Sequence, residues 1–323
     1  MNKGKKKVKK PITKYPYENI FDRDIKYKQL SLFDIEISNA ECYKHDYVFR
    51  KIDAGNQREI EIFPGLYASR EIIKTEREKE KLDPKRLKEN NTRKKYKRDE
   101  RLVHANFKVG DWFLTITFND KYLPKTAKEA KKVFGRFAES LNSKRKRRGL
   151  PNTKYFYTLE KGLRKGRWHF HVFMDTLLDI EEVIKSWKKN GDIRFEKLVY
   201  KNYEGKLNFV NTMRYITKHK DNYPQLYKTA AWDYERGGSS NLEKPKEKQY
   251  KTPLAKKNVL KMAVKDETTQ LEEARRIFEA KYKEYEVTDV EVKHNPHYEG
   301  LYYIHVRMQK RSGSNNRNKR VRI

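Results

Sequence analysis

Between residues 102 and 222 the apolar side chains change rhythm repeatedly, from a period of two to one of 3.6 and back. Trp112-Phe113-Leu114-Thr115-Ile116-Thr117-Phe118 is β-branched and aromatic, reads as a strand, and ends at Asn119-Asp120 and Pro124. Thr126-Ala127-Lys128-Glu129 has the form of a capping box, and Ala130, Val133, Phe134, Phe137 and Leu141 follow at helical spacing. Residues 155–160 and 168–174 form two strands on either side of a glycine-containing turn. Asp179 opens a helix carrying Ile180, Val183, Ile184 and Trp187, and Gly191 stops it. Residues 193–200 read as another strand and 208–220 as a helix. The order β-α-β-β-α-β-α predicts an α+β fold, a ferredoxin-like or RRM-like split βαβ antiparallel sheet with helices on one face.

The flanks are more polar. Across 323 residues there are 77 Lys+Arg against 45 Asp+Glu, a net charge of +32, with 38% charged and 36% hydrophobic residues. A core of ordinary size cannot extend over the whole of such a chain. The expected division is a basic N-terminal extension over 1–101, partly helical or disordered, a compact domain over 102–235, and a C-terminal region over 236–323. Within the first, residues 74–101 read as a solvated helix and basic connector. In the last, 236–241 reads as a Gly/Ser linker, 268–284 as an amphipathic helix, 287–292 and 301–308 as a small hairpin, and 311–322 as a basic tail. A chain this basic seeks polyanions, nucleic acid first. No stretch approaches the roughly 18 apolar residues of a membrane span, and the basic start has no apolar run behind it to make a secretory signal. The single cysteine, Cys42, leaves no disulfide framework and no cysteine-based zinc site, so a reducing cytoplasm is the expected compartment.

The sharpest chemical feature is His169-Phe170-His171. Residues i and i+2 of a strand share a face, so both imidazoles lie side by side while Phe170 points to the helices. Glu160 ends the partner strand, and the turn returns it beside the histidines, provided the register permits. Two imidazoles and one carboxylate suit Mg²⁺, Mn²⁺ or a similar divalent ion with open positions. On the helix over 208–220, Asn208, Asn211, Tyr215 and Lys218 form a polar stripe, opposite Phe209, Val210, Met213, Ile216 and Thr217. Tyr215 therefore faces away from the buried side, with Lys218 able to pair with a phosphoryl oxygen or a forming phenolate. The candidate nucleic-acid contacts are Thr115 and Thr117 of the first strand, Lys161, Arg164, Lys165 and Arg167 of the hairpin turn, and Asn211. The runs 93–98, with Tyr96, and 144–148 are further candidates for a DNA groove. His294, His297 and His305 read as an ordinary surface hairpin, since no acidic or cysteine partner stands at ligand spacing.

These blocks, in this order, resemble the HUH endonuclease superfamily, and specifically the rolling-circle replication initiators of bacterial plasmids and phages. Phe113–Phe118 is similar to the first motif strand, residues 166–172 to the His-hydrophobe-His motif, and Tyr215-Ile216-Thr217-Lys218 to the tyrosine motif. The resemblance covers about residues 102–222. It implies a nick in one strand of an origin hairpin, with Tyr215 keeping the 5′-phosphate as a phosphotyrosine and a 3′-OH left to prime synthesis. It also implies that His169, His171 and Glu160 hold the metal and that Lys218 positions phosphate. Some relatives carry two tyrosines one helical turn apart; here the position four before Tyr215 is Asn211, so a single-tyrosine enzyme is expected.

No Gly-x-x-x-x-Gly-Lys-Ser/Thr run occurs, so strand separation would fall to a host helicase, with a host polymerase extending the primer. Two other readings remain open. One keeps the chemistry but assigns it to a relaxase or transposase. The other is a non-catalytic RRM-like module whose strand aromatics stack bases.

Overall fold

The computed structural model describes residues 47–64, 84–162, 166–203, 206–220, 222–228, 230–251, 256–263, 266–294 and 302–311. In chain order the elements begin with strands β1 (Tyr47–Ala54) and β2 (Gln57–Pro64), helix α1 (Pro84–Asn106), β3 (Trp112–Thr117) and α2 (Ala127–Arg147). They continue through β4 (Tyr155–Lys161), β5 (Trp168–Met174), α3 (Ile180–Trp187), β6 (Ile193–Lys197), β7 (Lys201–Tyr203), β8 (Lys206–Asn208) and α4 (Val210–Ile216). The rest are β9 (Glu235–Gly238), β10 (Lys246–Lys251), α5 (Lys256–Ala263), α6 (Glu267–Lys281), β11 (Tyr285–His294) and β12 (Tyr302–Lys310). The fold is α+β, with two antiparallel five-stranded sheets and six helices among the described residues. None of those helices is long and apolar enough to cross a membrane.

The chain divides into two units, Asp83–Pro245 and the paired flanks Met1–Leu82 with Lys246–Ile323. In the central unit the strand order is β6-β3-β5-β4-β9. Its first four strands have the split βαβ order that the periodicity predicts. Thr126 caps α2 by accepting from the Glu129 backbone N–H at 3.2 Å, as the capping box requires. Leu114, Ile116, Phe170 and Val172 then meet Phe134, Phe137 and Leu141 of α2 and Val183 and Trp187 of α3 in one buried cluster. Each such side chain contributes about 1.5–3 kcal/mol on burial.

The second face of this sheet is covered over half its area. Phe113, Phe156 and Phe173 are apolar positions on that face and must be buried. They pack with Tyr96 and Val103 of α1, with Phe107, and with Phe209, Met213 and Ile216 around α4. Helices therefore lie on both faces, and only the end bearing Thr115, Thr117, Thr158, Glu160, His169 and His171 is polar. α1 is half-buried rather than a solvated helix, and Asp99 on its inner side pairs with Arg236 at 2.6 Å. Residues 236–238, read as a linker, pair with β4 as an edge strand. Gly237 is there because a Cβ would stand 2.3 Å from the Tyr157 hydroxyl, a close approach only glycine allows.

The paired flanks form a sheet of order β10-β1-β2-β12-β11. Two segments expected to be extensions thus share one core: Phe49, Ile60, Ile62, Ile304, Val306 and Met308 pack with Val259, Met262, Ala274 and Phe278 of α5 and α6. The division into 1–101, 102–235 and 236–323 differs from these units because strand pairing is non-local; β2 pairs with β12 and β1 with β10. The expected helix over 268–284 and the hairpin after it are present, but the hairpin is two strands of five. Apart from Arg311, the basic tail lies outside the described residues.

Candidate active site

The hairpin β4–β5 sets the geometry. Glu160 is the direct cross-strand partner of His169 and Thr158 that of His171. On the other side of β5, Thr117 faces His169 and Thr115 faces His171. Directly opposed residues share a face, so Glu160 joins the two imidazoles on the polar end of the sheet. One ligand atom from each of Glu160, His169 and His171 lies within 4.8 Å of the other two. Glu160 Oε1 contacts His169 Nε2 and stands 3.5 Å from His171 Nε2.

The hydrogen bonds around these side chains aim them. His169 Nδ1–H donates to the Arg167 carbonyl at 3.4 Å, and Thr115 Oγ1 lies 3.3 Å from His171 Nδ1. Both rings therefore turn Nε2 toward one carboxylate. His171 Nε2 and Glu160 Oε2 are buried and complete no hydrogen bond among the described residues. An imidazole lone pair against a carboxylate is repulsive unless a cation lies between them. The donor set, one oxygen and two nitrogens with outer hydrogen bonds fixing the rings, fits a divalent ion. Burial lowers the His171 pKa beyond what Glu160 restores, so the ring is held neutral, the ligating form. Burial acts to raise Glu160, but the bonds to His169 and His171 and the nearby Lys218 ammonium outweigh it, and the carboxyl sits well below the ordinary range.

α4 brings the tyrosine to this cluster. The helix is shorter than the expected 208–220 and ends at Ile216. His219 N–H donates to Arg214 O at 2.9 Å and Lys218 N–H to Tyr215 O at 3.2 Å, the pair of bonds that closes a Schellman cap. Lys218 fills the left-handed position of that cap, with φ 48°, where glycine is usual. The helix end is pinned from outside as well. Thr158 Oγ1 donates to Ile216 O at 3.0 Å and Trp232 Nε1 to Thr217 O at 3.0 Å. The Tyr215 ring, 46% exposed, stands edge-on to His171 at 5.4 Å. Lys218 Nζ lies 4.2 Å from the Tyr215 ring centre and 3.5 Å from Glu160 Oε2. Burial, then the charge of Glu160, raises the Tyr215 pKa, so ionisation of the phenol needs added positive charge. The group opens on a cleft of about 820 Å³ whose walls include Lys161, Arg167, Lys218 and Tyr227.

The other expected contacts fare unevenly. Thr115 supports His171, and Thr117 Oγ1 donates to Asp192 O at 3.3 Å. Arg167 pairs with Asp120, and Lys161 Nζ stands 5.7 Å from the Trp168 ring centre. Arg164 and Lys165 lie outside the described residues. Asn211 is half-buried on α4. Asn208 leaves the expected polar stripe: it is buried, and its side chain accepts from the Val210 N–H at 2.9 Å. The run 144–148 is largely committed elsewhere. Arg145 is buried against Asp175, Lys144 donates to Ser186 at 2.7 Å, and Arg148 pairs with Glu182 at 2.7 Å. Tyr96 is buried, as are Phe113, Phe156 and Phe173, so none offers a face to an unpaired base. Thr158 and Trp232 are additions that the sequence reading does not contain. Alternation with Glu160 marks the first, whereas nothing local marks the second. His305, expected on a surface hairpin, is buried and meets Glu59 on β2 at 2.9 Å. His297 and the side chain of His294 lie outside the described residues.

Residues 111–220, 110 of the 323, match a family model described as replication-associated protein of the ORF2 type. The matched segment runs from just before β3 to just past Lys218, and so spans every residue of the cluster. The match supports a role in replication initiation. No curated protein and no solved structure gives a significant match.

Proposed function

We propose that the chain is a site-specific single-strand DNA endonuclease that initiates rolling-circle replication by nicking an origin. The observation that supports it is the meeting of Tyr215 and Lys218 with Glu160, His169 and His171 on one sheet face, inside the family-matched segment. Tyr215 Oη attacks the scissile phosphorus, the P–O3′ bond breaks, and the phenolic proton ends on the departing O3′. The products are a 5′-phosphotyrosyl ester and a free 3′-OH. Lys218 stabilises the phenolate as it forms and offers a positive charge to a phosphoryl oxygen. Thr158 holds the end of α4, and Thr115 holds the His171 ring, so the nucleophile and the ligand atoms keep their relative places. A divalent ion on Glu160, His169 and His171 would withdraw charge from the phosphate. A host helicase would open the duplex, and a host polymerase would extend the 3′-OH.

The test is conversion of a supercoiled plasmid carrying the cognate origin to an open circle in Mg²⁺ or Mn²⁺, with the protein recovered on the 5′ end. Tyr215→Phe should slow nicking by more than about 1,000-fold. Nicking at the wild-type rate by that variant overturns the reading.

A further inference from the structure

The sheet's polar face carries one cross-strand row that runs through all five strands. Arg194 of β6 faces Thr115, Thr115 faces His171, His171 faces Thr158, and Thr158 faces Arg236 of β9. The row begins and ends in arginine, and the two ends differ. Arg236 is held by the buried carboxylate of Asp99 at 2.6 Å. Arg194 is exposed, and among the described residues it forms no ion pair or hydrogen bond. Other cations near the site are spent in the same way as Arg236: Lys218 on Glu160, Arg167 on Asp120, Lys95 on Asp233.

Two strand spacings of about 4.8 Å separate the Cα of Arg194 from that of His171, a span the extended arginine side chain largely crosses. Glu196, two residues on along the same face of β6, is close enough to Tyr215 to disfavour its phenolate. The nucleophile thus stands between the Glu160 side of the face and the β6 edge. A strand whose scissile phosphate sits at Tyr215 has its next phosphate over one of these two sides. On the Glu160 side the cation is already neutralised. On the β6 side the fork of Arg194 is open and can take two phosphate oxygens at once.

We propose that Arg194 is a phosphate-binding residue for single-stranded DNA, holding the backbone phosphate next to the scissile one at the β6 edge of the sheet. The proposal rests on the nickase reading for what lies at Tyr215, but its measurement is of binding. The probe is a fluorescent single-stranded oligothymidylate, with affinity followed against salt. Each phosphate contact contributes about 0.7 to the slope of log K against log salt on a single strand. Arg194→Gln should weaken binding several-fold and flatten the slope by about that amount. Arg194→Lys should keep the slope and recover only part of the affinity, since a point charge replaces the fork. Arg136→Gln, an exposed arginine on α2 across the sheet, should leave both unchanged.

An unchanged slope in Arg194→Gln overturns the proposal. So does an equal loss in Arg136→Gln, which would mean diffuse charge, or a loss in Arg194→Lys as large as in Arg194→Gln. Thermal melts of the variants exclude misfolding as the cause. The two readings fail separately. Wild-type nicking by Tyr215→Phe sinks the nucleophile and leaves the slope result standing, whereas a flat response at position 194 with nicking abolished in Tyr215→Phe sinks only Arg194.

Discussion

The two sheets are built alike, and each places a histidine and carboxylates together, yet the two clusters are opposite in character. Glu160, His169 and His171 in one, and Glu59, Glu61 and His305 in the other, both bring ligand-type atoms within 4.8 Å of one another. In the flank sheet the cluster is closed: no member is more than 2% exposed. Arg50 pairs with Glu61, and His305 donates from Nε2 to Glu59 at 2.9 Å with Nδ1 3.8 Å from Glu291. Burial would lower the His305 pKa, but Glu291 and Glu59 outweigh it and hold the ring protonated. In the central sheet burial wins at His171, the ring is neutral, and its Nε2 is left for something other than a hydrogen bond. The residue types are the same; arginine counter-charges in one sheet and their replacement by an exposed tyrosine in the other decide the outcome. The closed cluster stabilises a fold, and the open one is suited to chemistry.

The largest expected effect tests that contrast directly. Mn²⁺ titration followed by calorimetry should show one tight site. His171→Ala should cost it more than about 100-fold, the upper end of what an outer-sphere partner costs, whereas His305→Gln should leave it intact. The reverse pattern would make the flank cluster the metal centre and break the comparison. The same contrast explains how much can be read from residues alone. His169, His171 and Glu160 are legible because a strand's alternation and a single turn bring them together across nine residues. The partners of His305 are not, because Glu59 is 246 residues away and meets it only through pairing of β2 with β12. The hairpin carrying Glu59 does leave a signal, Gly55-Asn56 between two strand-like runs, with Gly55 at φ 61°. It is obscured because Arg50, Glu59 and Glu61 occupy positions where an ordinary core would be apolar. The limits of α4 are illegible for a related reason. Lys218 is a poor choice for a left-handed cap, so nothing in its identity announces the end of the helix.

A smaller effect concerns stability, and its sign follows from protonation. His305 has its folded-state pKa raised above 6.5, so its ion pair stabilises fully below the unfolded value and is lost as pH rises through the folded one. Removing one partner of a buried pair costs about 3 kcal/mol. Denaturant melts should therefore show His305→Gln destabilised by about that much near pH 6, with the gap from wild type closing toward alkaline pH. A gap that widened as pH rose would mean a neutral His305, and the two clusters would then be alike in charge state.

The smallest effect is in the open cluster, and it separates strain from charge. Lys218 is the one non-glycine residue with positive φ among the described residues, and it lies in the candidate active site. Left-handed backbone costs a side-chain-bearing residue about 1 kcal/mol. Lys218→Gly removes that cost and keeps the Schellman bonds, so it should raise stability by about 1 kcal/mol, less what glycine adds to the freedom of the unfolded chain. It also removes the ammonium beside Tyr215 and Glu160, so nicking should fall. Lys218→Ala keeps the strain and loses the charge; its stability should stay near wild type while its nicking falls with that of Lys218→Gly. Comparing melts and nicking rates across the two variants separates the contributions. If Lys218→Gly nicks as fast as wild type, the strained cap serves only to end the helix. If both variants lose nicking while only the glycine gains stability, the backbone is held out of its preferred region to place a cation against the tyrosine, and the closed sheet, with no such residue among its described positions, has no equivalent.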